Sequence, residues 1–316
     1  MKRTDLLKRL AFSVPENKQV RMIIHTDAKN EADDQYAIMH HLLTPGFDVR
    51  GIIAAHFEGK YSSEDFKRGT SMQASYDEII KILEYAEMDD VPVLHGSKQP
   101  LGTDGMEIPF SEGADFIIQE AMRDDQKPLF IAMQGGVTDL AIAYLKEPCI
   151  AEKLTAIWIG GEEYPKGGWE FNLLQDIVAA NILFSSNIPL WQIPRNVYSK
   201  VIVSISELAE KVKPCRMIGE YLFGQLVEFN NKMGSGSREE WPQGETWCLG
   251  DQPTVTVLLQ GEDKEYFHMQ KAPYVERDMT YRENFDAREI RVYDMVDVRL
   301  TIEDFVSKLR LVYGKR

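Results

Sequence analysis

The feature that most constrains this chain is a regular alternation of short apolar runs with stretches of helical periodicity. Val20–His25 (VRMIIH) reads as a buried strand, followed by a polar turn and a helix from about Asp34 to Leu43. Val49–His56 reads as a second strand, and Ser63–Glu87 as a helix with Met72, Tyr76, Ile79, Ile80 and Leu83 on one face. Strands then fall at Val91–Leu94, Leu129–Met133, Leu154–Gly160 and Pro189–Pro194, with helices at Ser111–Arg123, Gly136–Lys146 and Gln175–Ser185. Strands that alternate with helices pair in parallel through right-handed crossovers. The expected fold is α/β: a doubly wound, mostly parallel sheet with helices on both faces. No linker or repeat interrupts the pattern, so residues 1–316 are expected to form a single domain. The β-rich runs Lys264–Val275 and Arg288–Val298 either complete the sheet or form an edge hairpin, and Ile302–Val312 reads as a helix. In such sheets ligands lie at the carboxyl ends of the strands, and that is where the chemistry is sought.

Charge narrows the partners. Fifty acidic residues against 36 basic ones give a formal net charge of −14. Such a field repels a nucleic-acid polymer and suits a neutral small molecule and a bound cation. The three cysteines, Cys149, Cys215 and Cys248, are scattered and form no CxxC pair, as in a reduced cytoplasmic protein. The N-terminal MKRTDLLKRLAFSVPENK reads as a short amphipathic helix rather than a signal peptide. No run approaches the roughly 18 apolar residues of a membrane span, so no membrane partner is expected.

The first strand ends in His25-Thr26-Asp27, and the turn continues Ala28-Lys29-Asn30-Glu31-Ala32-Asp33-Asp34. Carboxylates crowded at the mouth of a parallel sheet repel one another unless a cation gathers them, and Ca²⁺ takes six to eight oxygens. Alternatively, Asp33 is an N-cap and the rest a solvated acidic turn. An adjacent acidic pair, with Asp27 directly after a buried strand, favours the cation.

These residues resemble the inosine–uridine preferring nucleoside hydrolases, whose first strand runs into DTDxGxDDA where this chain has HTDAKNEADDQYA. Further segments follow in the family's order. Gln134-Gly135-Gly136-Val137-Thr138-Asp139-Leu140 is similar to TGPLTNLA, and Ile159-Gly160-Gly161 to MGG. Glu170-Phe171-Asn172 with Asp176 is similar to EFN…DP, and Leu249-Gly250-Asp251-Gln252-Pro253 stands where the family has His-Asp-Pro. The resemblance implies calcium-dependent hydrolysis of the N-glycosidic bond of ribonucleosides, in a homodimer or homotetramer serving nucleoside salvage. By resemblance, Asp27, Asp34, Asp251 and the Gln134 carbonyl hold Ca²⁺, which also binds the ribose 2′- and 3′-hydroxyls and a water. Asp27 is then the general base, Asp33 orients a ribose hydroxyl, and Asn172 and Glu170 contact the sugar, Glu170 at its 5′-hydroxyl. Carboxylates suit a reaction in which positive charge develops on the ribose.

Three departures bear on substrate. The first loop is two residues longer than the family pattern, which brings Asn30 and Glu31 toward the site, as in a divergent branch of similar proteins, some linked to carbohydrate. His25 replaces an Asp. Gly250 replaces the His that protonates the leaving base in many members, which leaves His56, at the end of the second strand, as a candidate acid. His40 and His41 read as a partly exposed helical pair, His95 as a packing or capping residue, and His268 has no motif around it. Trp241 and Trp247, in the polar, Gly-rich stretch Asn230–Gly250, offer faces on which a base can stack. Two alternatives remain on the same fold: hydrolysis of another N- or O-riboside, and a nucleoside- or sugar-binding protein without catalysis. A haloacid-dehalogenase-type phosphohydrolase needs an Asp where His25 stands, and ranks below all of these.

Overall fold

The computed structural model describes residues 1–58, 67–102, 108–233, 244–261 and 266–314. The chain runs α1 (Arg3–Leu7), β1 (Val20–Thr26), α2 (Asp34–Leu42), β2 (Phe47–Ala54), α3 (Ser71–Tyr85) and β3 (Val93–His95). It continues through α4 (Glu112–Ala121), β4 (Leu129–Gln134), α5 (Thr138–Lys146), β5 (Leu154–Ile159), α6 (Phe171–Gln175), α7 (Ile177–Ser185) and β6 (Leu190–Ile193). Next come α8 (Arg195–Tyr198), β7 (Ile202–Ser204), α9 (Ile205–Lys211), α10 (Arg216–Met233), β8 (Thr246–Cys248) and α11 (Pro253–Leu259). The last elements are β9 (Phe267–Lys271), β10 (Tyr274–Val275), β11 (Tyr281–Arg282), β12 (Glu289–Tyr293) and α12 (Val298–Tyr313).

Eight strands form the central sheet in the order β3-β2-β1-β4-β5-β6-β12-β9. All pair in parallel except β9, which runs antiparallel to β12 at the edge. The late β-rich runs thus complete the sheet, and β12 joins it in parallel beside β6. The fold is the expected single α/β domain.

Successive strand residues face opposite sides, so the apolar strands feed two cores. Met22 and Ile24 pack with α2, α3 and α8–α12 on one side of the sheet. Ile23, Ile53, Ile131 and Trp158 pack with α4, α5 and α7 on the other. Helix α3 begins at Ser71, later than its periodicity suggested; residues 59–66 lie outside the described set. On that helix Ile82 is buried while Ile80 is 42% exposed, so the apolar stripe runs through Met72, Ile79, Ile82 and Leu83. Among the described residues no helix is long and apolar enough to cross a membrane.

The topology also fixes where a ligand sits. From β1 the chain steps outward through β2 and β3, then returns to lay β4 on the other side of β1. The crevice beyond the carboxyl ends of β1 and β4 is the switch point of the sheet. Thr26 and Gln134, the last residues of those strands, are register partners there.

Candidate active site

A solvent-open cleft lies at this switch point. Its acidic wall is Glu31, Asp33, Asp34 and Asp251, and the facing wall carries Glu170, Phe171, Asn172 and Tyr198. Asn30, Gln134 and Gly250 also border it.

Asp27 directly follows β1 and is fully buried, behind rather than among the residues that line the cleft. Its Oδ2 has no hydrogen-bond partner among the described residues, while Asn30 Nδ2 reaches Oδ1 at 3.5 Å. Gly135, just after β4, gives this carboxyl its room: a Cβ there would lie 2.9 Å from the Asp27 Cγ. Asp34 is the first residue of α2 and accepts the Thr26 hydroxyl. Asp33 stands at the N-cap position but makes no side-chain cap. Its Oδ2 instead accepts the Asp251 N–H at 3.2 Å, so the capping alternative does not describe it. One oxygen each from Asp33, Asp34 and Asp251 lies within 4.8 Å of the others, and all three residues are buried. Asp27 stands next to that trio rather than within it.

Burial raises the pKa of each of these carboxyls, and their mutual repulsion adds to the rise for Asp27, Glu31, Asp34 and Asp251. Asp33 is pushed up to about 6, against the opposing pull of backbone N–H donors that include Asp251 and Gly250. A buried cluster of this kind gains by holding a cation, since a cation reverses every one of those repulsions. The donors are all oxygens, one of them orphaned, which fits a hard divalent ion.

The long acidic loop is braced from outside. Gln35 Nε2 donates to the carbonyls of Ala28 at 2.8 Å and Glu31 at 3.3 Å, and Gln225 on α10 donates to the Ala32 carbonyl at 2.9 Å. Lys29 pairs with the buried Glu78 of α3 at 3.1 Å. Asn30 and Glu31 of this loop stand at the cleft.

On the facing wall, Glu170 caps α6 and is fully buried. It accepts N–H bonds from Gly161 (2.8 Å), Asn172 (3.1 Å) and Leu173 (2.8 Å), and the Tyr198 hydroxyl at 2.8 Å. Gly161 reaches it from a left-handed turn with φ of 79°, where a side chain would strike Tyr281 and Gln192. Four protein donors engage this carboxylate, so Glu170 shapes the wall as much as it faces the cleft. Asn172 Nδ2 donates to the Ile159 carbonyl at 2.9 Å.

Several aromatic expectations need correction. His56 does not line the cleft. It is buried, with Nε2 2.8 Å from Thr138 Oγ1 and the Glu58 N–H 3.4 Å from its Nδ1. Thr138 spends its own proton on Asp176 at 2.8 Å, so His56 is the donor to Thr138 and is neutral. Burial lowers its pKa to about 4, which removes it as an acid near neutral pH. Trp247 is also fully buried, edge-to-face on Phe229 at 5.7 Å, with no face for a base to stack on. Its influence is indirect, opposing the rise of the Glu31 pKa from behind the acidic wall. Trp241 lies outside the described residues. His40 and His41 are both fully buried rather than partly exposed, because α2 is enclosed on all sides.

Sequence reasoning missed Tyr198. It follows β6 by five residues, and extending the same search beyond Pro194 reaches it. It also missed a link behind the acids: His40 Nδ1 meets Gln252 Oε1 at 2.5 Å and His40 Nε2 meets Asp304 at 2.8 Å.

Residues 22–301 match the profile of the inosine-uridine preferring nucleoside hydrolase family. The chain belongs to this family. Its reaction class is N-ribosyl hydrolysis, and the family places a small-molecule nucleoside as substrate. The pyrimidine-specific ribonucleoside hydrolase RihA of Escherichia coli O1:K1 is 25% identical over 262 residues, covering 73% of this chain and 77% of its own. Two solved structures share the fold. The purine-preferring ribonucleoside hydrolase from Gardnerella vaginalis has a TM-score of 0.71 at 19% identity, over 93% of this chain and 99% of its own. The type III effector XopQ, in complex with adenosine diphosphate ribose, has 0.66 at 14% identity, over 99% and 98%.

Proposed function

We propose that this nucleoside hydrolase uses Ca²⁺ and Asp27 to split the N-glycosidic bond of ribonucleosides into free base and ribose. The observation that carries the reading is the trio Asp33, Asp34 and Asp251, gathered within 4.8 Å beside a buried Asp27 with an orphaned Oδ2. Asp27, Asp34 and Asp251, with the Gln134 carbonyl, would hold Ca²⁺, which when bound lowers the pKa of water and fixes the sugar diol.

The protein's own groups do the rest. Asp27 takes the proton of the attacking water. Asp33, tethered to the Asp251 N–H rather than to its own helix, orients a ribose hydroxyl. Asn172, pinned through Nδ2, leaves its Oδ1 to accept from the sugar. The surrounding carboxylates stabilise positive charge as it develops on the ribose. Five of them line the cleft and, among the described residues, no Lys, Arg or His does, so the preferred substrate is uncharged.

A second reading keeps this chemistry and changes the riboside, because Asn30 and Glu31 enter the cleft from a loop longer than the family pattern. XopQ was solved with a diphosphate ligand, and the same five carboxylates disfavour that ligand here. A cytoplasmic homodimer or homotetramer in nucleoside salvage completes the proposal, and light scattering measures the assembly.

Calorimetric titration with Ca²⁺ tests the cofactor. One bound ion is expected, with at least about tenfold weaker binding in Asp34→Asn and Asp251→Asn. No Ca²⁺ uptake by the wild-type protein would overturn it.

A further inference from the structure

A departing base carries off the electron pair of the glycosidic bond, and its departure is easier if a proton reaches it at the same time. Among the described residues no histidine lines this cleft, and position 250 has no side chain to offer. Of the groups that do line it, Asn30, Gln134 and Asn172 carry amides, which do not give up protons. Asp33, Asp34 and Asp251 form the acidic trio, Glu31 lies two residues from it, and Glu170 is held as an acceptor by four protein donors. Tyr198 is the one hydroxyl on the cleft wall among the described residues.

Its placement is firm. Tyr198 ends α8, directly after β6, with its N–H on the Pro194 carbonyl at 3.1 Å and its carbonyl accepting the Val201 N–H at 3.0 Å. Its ring fills the space that a side chain at 250 would need: a Cβ on Gly250 would lie 2.9 Å from Tyr198 Cδ2. Its hydroxyl donates to Glu170 Oε1 at 2.8 Å, and the other donors to Glu170 are backbone N–H groups. The phenol can turn about its C–O bond, so the proton parked on Glu170 at rest can swing into the cleft.

We propose that Tyr198 is the proton donor to the departing base, standing in the space beside Gly250. The inference rests on the nucleoside-hydrolase reading of this site. As the C1′–N bond breaks, its electron pair passes to the base, which takes the phenolic proton of Tyr198. The oxygen of water bonds to C1′ and gives its proton to Asp27. That proton returns through solvent to the Tyr198 phenolate, so one nucleoside and one water yield one base and one ribose.

The test compares two leaving groups on the calcium-loaded wild type, Tyr198→Phe and Glu31→Gln. Uridine or inosine needs a proton on its base, whereas p-nitrophenyl β-D-ribofuranoside releases a nitrophenolate that does not. Phenylalanine keeps the ring against Gly250, and a thermal melt checks the fold. The expected result is a loss in kcat of roughly a hundredfold or more on the nucleoside in Tyr198→Phe, with turnover of the nitrophenyl riboside nearly unchanged. Equal losses on both substrates, no loss on the nucleoside, or the selective loss appearing in Glu31→Gln instead would each overturn the proposal. Wild-type protein that turns over neither substrate would remove the hydrolase reading and this inference with it.

Discussion

The Asp27 carboxyl and the missing side chain of Gly135 are one device: the acid occupies the volume that the glycine leaves. Gly135→Ala puts a methyl 2.9 Å from the Asp27 Cγ. Overpacking of this kind costs about 1–3 kcal/mol. The variant should melt lower in urea and bind Ca²⁺ more weakly; unchanged calorimetry and stability would show that the carboxyl has room to move. Gly250 is the same device turned toward Tyr198, so Gly250→His, which restores the family's residue, should lower stability and activity unless Tyr198 is also made small. At this scale the acids were legible in the sequence, because Asp27, Asp33 and Asp34 share one strand end and one turn. Trp247, His40, His41 and His56 were not. Whether such a ring faces a cleft depends on elements that pack on it from far along the chain, as Thr138 does on His56 and Gln252 on His40.

That contact operates between elements. Asp34 opens α2 and His40 lies further along it, while Gln252 follows Asp251 immediately. The His40–Gln252 bond therefore ties the two halves of the acidic trio together, and Asp304 and Lys308 of α12 hold it from behind. Removing the partner of a group that orients a metal ligand typically costs ten- to a hundredfold in metal affinity. Gln252→Leu should weaken Ca²⁺ binding by about that factor while the protein stays folded. Calcium affinity equal to wild type would reduce the bond to ordinary packing. The order of the early strands and helices was readable because each crossover is local. Helix α10 was not recognised, although Ile218, Leu222 and Leu226 recur every four residues along it, because Gly219 and Gly224 interrupt the pattern. The insertion of β12 between β6 and β9 is a long-range pairing that no local periodicity records.

Over the whole molecule, pH acts on two buried populations of opposite sign. Burial lowers the pKa of His41 to about 3 and of His56 to about 4, below the ordinary value near 6.5. The unfolded chain then binds more protons below pH 6.5, so this contribution to stability is lost as pH falls. The carboxyl cluster does the reverse without a cation. With Asp33 raised to about 6, the folded state binds more protons and loses stability as pH rises from about 4 through 6. Under the proposed function, bound Ca²⁺ would offset that repulsion and add about 2.7 kcal/mol at a hundredfold excess over its Kd. Melting curves should therefore show a calcium-dependent rise in Tm that grows from pH 5 to pH 7; a rise independent of pH would place the ion elsewhere. The cleft's charge makes a prediction for substrates as well. Uridine should be cleaved at least about tenfold better than its 5′-monophosphate in kcat/KM, a margin of about 1.4 kcal/mol, and equal rates would remove the charge argument. The most direct test of the central claim is release of free base from inosine, uridine, cytidine and adenosine, with EDTA and with added Ca²⁺, in wild type and Asp27→Asn. The account predicts release that EDTA abolishes, calcium restores and Asp27→Asn lacks. Release that persists in EDTA, or in Asp27→Asn with calcium present, would contradict it.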